Sequence, residues 1–494
     1  MGYVSPPLRT RVREAAAAVN PVRLVILGVG LALARFELVN PKRVRRTTDL
    51  AWPRIVTGLA RMSKNAVDVA MVGAAIGSSA IAGVGFAGPY WGLAFALGGG
   101  VAAGTIALVS QRFGAEAYDE LGIAIRTSAA LTVLITLPLS VAFFAFARPL
   151  IDVIGNDPAQ IRMGAEYLQV VALGVPFAAL NLIGSRAFIG LDDSWTPMVL
   201  RSGGAVTNIV LNGVFIFGFN LGVVGAALGT VVSNALVAAC FAVGLVRGGL
   251  PLVGAFPVTI DPLGAYLDRG TVSDVVEIGL PVVGRSVVWT VARFPMLAIV
   301  AAIGPAVAAA YVISRRIWGL MTTPGWGFGL ASSSLVGQEL GQGEEESAEE
   351  YGRDIVRFSV ATYIVAAIFV ALFARPIVEL FVSGGAEPGT VEIATALVYA
   401  ACVATVAQGV KAGAAGPLDA SGDTKIPFYS QLLGMFGFAI PLAYLGLRYP
   451  AFGLMGLYLS LVAEATVPAL INYYRFSTGK WKRISREFRP DTAD

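Results

Sequence analysis

Apolar runs of close to twenty residues follow one another along the chain, separated by short polar breaks. As a helix rising 1.5 Å per residue, a run of that length crosses the ~30 Å hydrocarbon core of a bilayer. The pattern predicts twelve such helices. Six fall at 50–74, 84–110, 126–147, 163–188, 199–219 and 224–246, and six more at 273–301, 308–334, 355–374, 391–417, 428–447 and 453–474. Backbone polar groups in lipid must be satisfied within the spanning structure, and these runs are far too long for barrel strands. The expected class is therefore an all-α polytopic membrane protein. Residues 24–34 are also apolar, but Arg23 and Arg35 bound them, so the run is short for a span. It reads as an amphipathic helix at the interface and not as a signal segment, because no small-residue cleavage site precedes the basic run from Lys42 to Arg46.

Composition agrees with the pattern. Of 494 residues, 56% are hydrophobic and 14% charged, where ordinary soluble domains carry about 25% charged residues. The absence of histidine from the sequence removes the usual metal ligand and general base. Cys240 and Cys402 sit inside apolar runs and read as small buried hydrophobes. The net charge of +4 does not point to nucleic acid, because the basic residues cluster at helix ends. They crowd an arm (Arg9, Arg11, Arg13, Lys42 to Arg46), the 247–270 connection and a tail containing Lys480, Lys482, Arg483, Arg486 and Arg489. Positive-inside bias puts both termini and that connection in the cytoplasm of a cell-membrane protein.

The chain matches itself at a shift that creeps from 227 to 231 residues. Phe146-Ala-Arg-Pro149 recurs as Phe373-Ala-Arg-Pro376, and Ala74-Ala-Ile-Gly77 as Ala301-Ala-Ile-Gly304. Gln111 and Gly114 are answered by Gln338 and Gly341, Asp193-Ser-x-x-Pro197 by Asp423-Thr-x-x-Pro427, and Gly222-x-x-Gly225 by Gly453-x-x-Gly456. Five matches in one order make a repeat of six spans. Both copies then enter from the same side, as parallel repeats about a pseudo-two-fold axis along the membrane normal. The expected organisation is a basic arm at 1–49, an N-lobe at 50–247, a linker at 248–271, a C-lobe at 272–475 and a basic tail at 476–494.

Several segments resemble the multidrug and toxic compound extrusion (MATE) transporters. They are Asp68-Val-Ala-Met-Val-Gly, Ser110-Gln-Arg-Phe-Gly114, Ala187 to Pro197, Asn208-Ile-Val-Leu-Asn212, Gly337-Gln-Glu-Leu-Gly341 and Ser421 to Pro427. The resemblance covers roughly residues 50–475 and implies two six-helix bundles that rock about a central site. It implies that Pro53 lets the first helix bend, that Asp68 takes up the coupling ion, H+ or Na+, and that Asn208 is its polar partner. Asn212 stands where the family often has a second aspartate. A sodium site found in another branch would fall on Thr290 and Gln408, so that site is not expected here. The resemblance also implies a monomer working on a small-molecule substrate in the bilayer, with no cofactor beyond the ion.

The intramembrane charges sharpen this reading. Asp68 sits near the middle of its span, where an ionised group needs pairing or protonation. Lys64, one turn earlier, offers a plain salt bridge as the alternative to ion coupling. Arg54, Arg61, Lys64 and Asp68 share one helical face, and Arg285, Trp289 and Arg293 form a second stripe on span 7. The repeat carries Asn65 onto Arg293 and Asn181 onto Lys411. The candidate cavity residues are therefore Arg61, Lys64, Asn181, Arg285, Trp289, Arg293 and Lys411, giving a basic, water-filled cleft with Asp68 and Glu277 as its acids. Snorkelling to the interface is the plainer reading for Arg54 and Arg285. The acidic run from Glu344 to Glu350 reads as a solvated loop. Glycine runs such as Gly98 to Gly100 read as helix packing points, and Trp91, Trp289, Trp318 and Trp326 as cavity or interface residues.

These features lead to an ion-driven exporter of amphiphilic organic compounds that prefers anionic or zwitterionic ones. The alternative is a flippase or exporter of an anionic lipid-linked or organic-anion substrate. An enzyme is not expected, since no paired carboxylates or metal cluster stand beside a span.

Overall fold

The computed structural model describes residues 8–155, 157–250, 253–256, 258–381, 388–449 and 451–490, with side chains from residue 14 onward. The side chains of Arg9, Arg11 and Arg13, part of the expected basic arm, lie outside the described residues. The fold is all-α. Two helices, α1 (Leu8–Val19) and α2 (Pro21–Arg35), precede twelve spans. The first six spans are α3 (Pro41–Ile76), α4 (Ser78–Phe86) with α5 (Gly88–Gly114), α6 (Tyr118–Ala145), and, after the short α7 (Ala147–Asp152), α8 (Pro158–Ala172) with α9 (Val175–Gly190), then α10 (Trp195–Gly213) and α11 (Gly222–Arg247). A connection containing a two-residue antiparallel hairpin, β1 (Gly249–Leu250) and β2 (Gly254–Ala255), leads to the second six. These are α12 (Arg269–Ile303), α13 (Pro305–Met321) with α14 (Thr323–Gly341), α15 (Glu345–Leu372), followed by short α16 (Ala374–Glu379), then α17 (Thr390–Ala420), α18 (Lys425–Leu432) running on to α19 (Ile440–Arg448), and α20 (Gly453–Ser477). A short helix, α21 (Lys480–Ser485), follows.

Among the described residues, nine helices are long and apolar enough to cross a membrane alone, and ten if α8 and α9, bent by 51°, count as one. The two remaining spans are α3 and the α13–α14 pair. Each carries charge inside the run: Arg54, Arg61, Lys64 and Asp68 on α3, Arg315 and Arg316 on α13.

The repeat is visible in the backbone as well as in the residues. Left-handed positions recur in register: Gly77 (φ 106°) with Gly304 (155°), Glu116 (57°) with Gly343 (84°), Asp192 (63°) with Gly422 (84°), and Gly222 (57°) with Gly453 (42°). At two of these the first copy holds an acid where the second holds glycine, which takes that conformation without a Cβ penalty.

The chain packs as two units. One takes Val56–Leu280 and the stretch ending at Val19; the other takes Asn20–Ile55 and the chain from Pro281 onward. The division falls inside α3 and α12, beside Pro53 and Pro281, whereas the sequence places the lobe boundaries at the connections, 49/50 and 271/272. The reason is close packing on either side of each proline. In the first unit, Val275 lies against Gly104, where a Cβ would sit 2.9 Å from the Val275 backbone, and Gly279 lies against the Gly100 carbonyl. In the second, Gly327 admits the Ala51 carbonyl, and Leu50, Ala51 and Ile55 join the core around Phe328, Leu335 and Phe358.

The first unit also ties down its linker. Arg126 donates from Nη1 to the Asp261 carbonyl (3.0 Å) and from Nε to the Ala265 carbonyl (2.9 Å). Asp268 accepts from the backbone and hydroxyl of Thr271, and these bonds hold its carboxyl below the usual range. In the second unit, α2 is capped by Asn20, whose Oδ1 accepts from the Arg23 backbone (3.2 Å). It buries Ile26 and Gly30 while leaving Leu24 and Val25 exposed. The acidic run after α14 is not a free solvated loop. Glu345 pairs with Arg486 (2.7 Å), Glu349 with Lys482 and Arg353, and Glu350 with Arg43. The basic arm and tail thus clamp the start of α15.

Candidate functional site

A cavity of about 650 Å³ opens within the first unit. One turn of helix separates each of Thr57, Arg61, Lys64 and Asp68, so α3 presents all four to it. Asn65 on α3, Tyr167 on α8, Asn181 on α9, Arg201 on α10, and Thr230, Ser233 and Asn234 on α11 extend the polar wall; Trp91 and Phe95 lead the apolar one. Volume and lining suit an organic molecule held by apolar contact and oriented by a few polar groups.

Asp68 is the centre of a network drawn from three helices. Its Oδ2 lies 2.7 Å from Lys64 Nζ, and its Oδ1 accepts from Asn212 Nδ2 at 2.8 Å. Asn212 also reaches Asn208 Oδ1 (3.4 Å), and Asn208 Nδ2 donates to Thr230 Oγ1 (3.3 Å). Both asparagines lie one turn apart on α10 and are fully buried. A second chain runs beside it. Asn181 Nδ2 donates to the Asn234 carbonyl and side-chain oxygen, both at 3.1 Å, and Asn234 Nδ2 donates to the Thr230 carbonyl at 2.8 Å. Thr230 thus joins the two chains. The side-chain oxygen of Asn212 is buried and accepts no hydrogen bond.

Gly229 makes room for this arrangement. A Cβ there would overlap Asn212 Oδ1, with the Asn212 backbone nitrogen 3.2 Å away. The sequence reading had no means of finding Gly229 or Thr230, because neither shares a helical face with Asp68.

Of the expected cavity residues, Arg61, Lys64 and Asn181 line this space. Arg285, Trp289, Arg293 and Lys411 do not; they belong to the second unit and make contacts of their own. Arg285 forms a two-pronged pair with Asp419, at 3.3 and 3.1 Å. Arg293 stacks on Trp289, its guanidinium carbon 3.6 Å from the ring centroid. Lys411 donates to Gln431 Oε1 at 2.6 Å. Arg315 pairs with the buried Glu464 at 2.7 Å and lies over Trp318. The acids answering these bases are Asp419 and Glu464, while Glu277 is exposed on the part of α12 that packs in the first unit. Arg54, expected to snorkel, is buried at 8% exposure with Trp326 beneath it.

Pro53 lies within an unbroken α3, two residues before the division between units. Thr290 donates back to its own helix at the Ser286 carbonyl (2.9 Å). Among the described residues no group of three or more acids and thiols converges as a metal cluster would.

Known proteins share this organisation. PmpM, a multidrug resistance protein of Pseudomonas aeruginosa, is 26% identical over 466 residues, covering 91% of this chain and 94% of its own. YoeA of Bacillus subtilis, a probable multidrug resistance protein, is 24% identical over 444 residues, 88% of this chain and 94% of its own. Among solved structures, a MOP superfamily transporter from Pyrococcus furiosus matches with a TM-score of 0.79 at 20% identity, over 95% of this chain and 99% of that one. Its binding pocket is described as reversed in polarity, suggesting a different function. The MatE family model matches residues 53–214 and 281–445, five spans of each repeat. With both halves of the repeat matched, and with the polar network set inside the first of them, the chain belongs to the MatE family of membrane transporters.

Proposed function

We propose that this chain is a secondary antiporter of the cell membrane, both termini cytoplasmic, that exports amphiphilic organic compounds in exchange for protons. The observation that carries the reading is Asp68, held between Lys64 and Asn212 at the wall of the cavity. The names of PmpM, a multidrug resistance protein, and YoeA, a probable multidrug resistance protein, support the substrate class.

A proton fits this site better than sodium. The Lys64 ammonium already sits 2.7 Å from the carboxylate, so a second cation meets repulsion. A proton instead cancels the charge that holds Lys64. It also turns one carboxyl oxygen from acceptor into donor. The Asn212 carboxamide answers both states, since it carries a donor now bonded to Asp68 and an acceptor that is buried without a partner. A rotation of the amide would then exchange one bond for the other, and Asn208 and Thr230 pass the change along α10 and α11. Alternating access follows if this change alters how α3 bends at Pro53, where a backbone hydrogen bond is missing.

Proteoliposomes loaded with a fluorescent organic compound test the reading under imposed proton or sodium gradients. Wild-type protein is expected to drive uphill transport with the proton gradient alone, and Asp68→Asn to lose it while still inserting and folding. Full gradient-driven transport by Asp68→Asn would refute the role of that carboxylate.

A further inference from the structure

Behind the Asp68 network stand two cations that it does not use. Arg186, toward the end of α9, and Arg201, in the second turn of α10, each bury Nη1 without a hydrogen-bond partner among the described residues. Among the described residues neither makes a hydrogen bond or an ion pair. Arg201 lies within electrostatic range of Arg186 and Arg61, and Arg186 within range of Arg61. Arg61 and Arg201 line one cavity, and Arg186 adds a third guanidinium to the same cluster. Asp193, close by in the sequence, is engaged with Thr196, whose backbone nitrogen (3.0 Å) and hydroxyl (2.6 Å) it accepts from. Lys64 is committed to Asp68.

Buried cations without partners are costly, and like charges drawn together add to the cost. An anion joining the cluster removes both penalties. Guanidiniums suit an oxyanion in particular, because their planar fork meets two oxygens at once. Arg61 and Arg201 also line the cavity, so a group bound there is continuous with the apolar wall. Arg61 lies over Phe95, 5.6 Å from the ring centroid, which sets an apolar body beside the charged end.

We propose that Arg61, Arg186 and Arg201 form an oxyanion-binding site, and that it takes the sulfonate, phosphate or carboxylate of an amphiphilic organic anion. The inference rests on the proposed transport function and names the substrate class for the same cavity. The balance of charge in the cavity wall gives it direction, with Arg61, Lys64 and Arg201 set against Asp68. One substrate end is anionic and seats on the arginines; the other is apolar and seats against Trp91 and Phe95.

Two probes with one ring system test the site: 5-dimethylaminonaphthalene-1-sulfonate and its uncharged sulfonamide. Binding of each to the purified full-length protein in phosphatidylcholine nanodiscs is measured calorimetrically. The sulfonate is expected to bind at least tenfold tighter. Arg186→Gln and Arg201→Gln should each weaken the sulfonate about tenfold and leave the sulfonamide unchanged, while Arg201→Lys, which keeps the charge, should lose less than Arg201→Gln. Adding phosphatidylglycerol distinguishes two sources of the oxyanion. Competition assigns the site to a lipid headgroup, and its absence assigns it to a soluble compound; both outcomes support an oxyanion site. Asp68→Asn is expected to keep sulfonate binding and lose gradient-driven transport, so failure of the coupling reading does not imitate failure of this one. Equal affinity for the two probes overturns the proposal. So does a folded Arg186→Gln/Arg201→Gln variant that binds the sulfonate like wild type.

Discussion

Gly229→Ala places one methyl group where the site has no space. The new Cβ would run into Asn212 Oδ1 and stand 3.1 Å from its Cγ and 3.2 Å from its backbone nitrogen. The nitrogen belongs to α10 and cannot yield, so the carboxamide must swing away from Asp68 and give up the 2.8 Å hydrogen bond. A bond to an ionised group contributes about 1.5–3 kcal/mol, and an extra methyl in a packed interior costs about 1–3 kcal/mol. Alanine returns at most about 1 kcal/mol through its better helix propensity. The net loss expected is about 2–5 kcal/mol, together with loss of proton-driven transport. Thermal unfolding of the purified protein, followed by tryptophan fluorescence, measures the first effect, and proteoliposome transport the second. A double variant isolates the cause. With Asn212→Ala in place the obstructing amide is gone, so adding Gly229→Ala should cost little more than Asn212→Ala alone. A single variant that melts and transports like wild type would refute the reasoning, as would strict additivity of the two changes.

Pro53→Ala should restore the hydrogen bond missing from α3 and slow turnover more than it weakens substrate binding; unchanged turnover would mean the helix moves as a rigid rod. Glu116→Gly relieves a left-handed residue where the second copy already has Gly343, and should stabilise the protein by about 1 kcal/mol in thermal unfolding. Asp419→Asn leaves Arg285 half-buried without its acid and should cost about 1–3 kcal/mol, between the values for exposed and buried pairs; Arg285→Gln added to it should recover part of that loss.

Helix positions were readable in the sequence because most spans carry their own signal, an apolar run long enough to cross the bilayer. The repeat was readable for the same reason, since Gly77 and Gly304 or Asp193 and Asp423 can be matched without knowing what they touch. Contacts within one helix were also within reach: Lys64 and Asp68 are one turn apart, and they do pair. What periodicity cannot supply is a partner on another helix. Asp68 and Asn212 are 144 positions apart, Arg285 and Asp419 are 134, and Arg315 and Glu464 are 149. The acids answering the second-half bases were missed for that reason, and the cleft looked more basic there than it is. The same blindness made the acidic run near Glu345 look solvated, when its partners lie in the tail and the arm.

The repeat also explains why the proposed coupling site occurs once. A shift of 228 carries Asp68 to Met296 and Lys64 to Ala292, while a shift of 227 carries Asp68 to Pro295. At 230, Asn208 and Asn212 fall on Phe438 and Leu442; at 231, Thr230 falls on Leu461 and Gly229 on Ser460. Asp68, Lys64, Asn208, Asn212 and Thr230 thus all have apolar counterparts, and Met296 and Leu461 are core residues of the second unit. Two of the counterpart positions touch each other, Ser460 Oγ lying 3.9 Å from Met296 Sδ. Three other cavity positions behave differently. Asn181 corresponds to Lys411, Arg201 to Gln431 and Ser233 to Glu464, so polar groups persist there in both halves. These three positions have therefore been exchanged between polar types, whereas the carboxylate with its amide and lysine partners belongs to one copy. A carboxylate introduced at Met296 would find Ala292 and Leu442 where Lys64 and Asn212 serve Asp68, and would be buried without a partner. Restoring the site in the second half therefore needs several substitutions together.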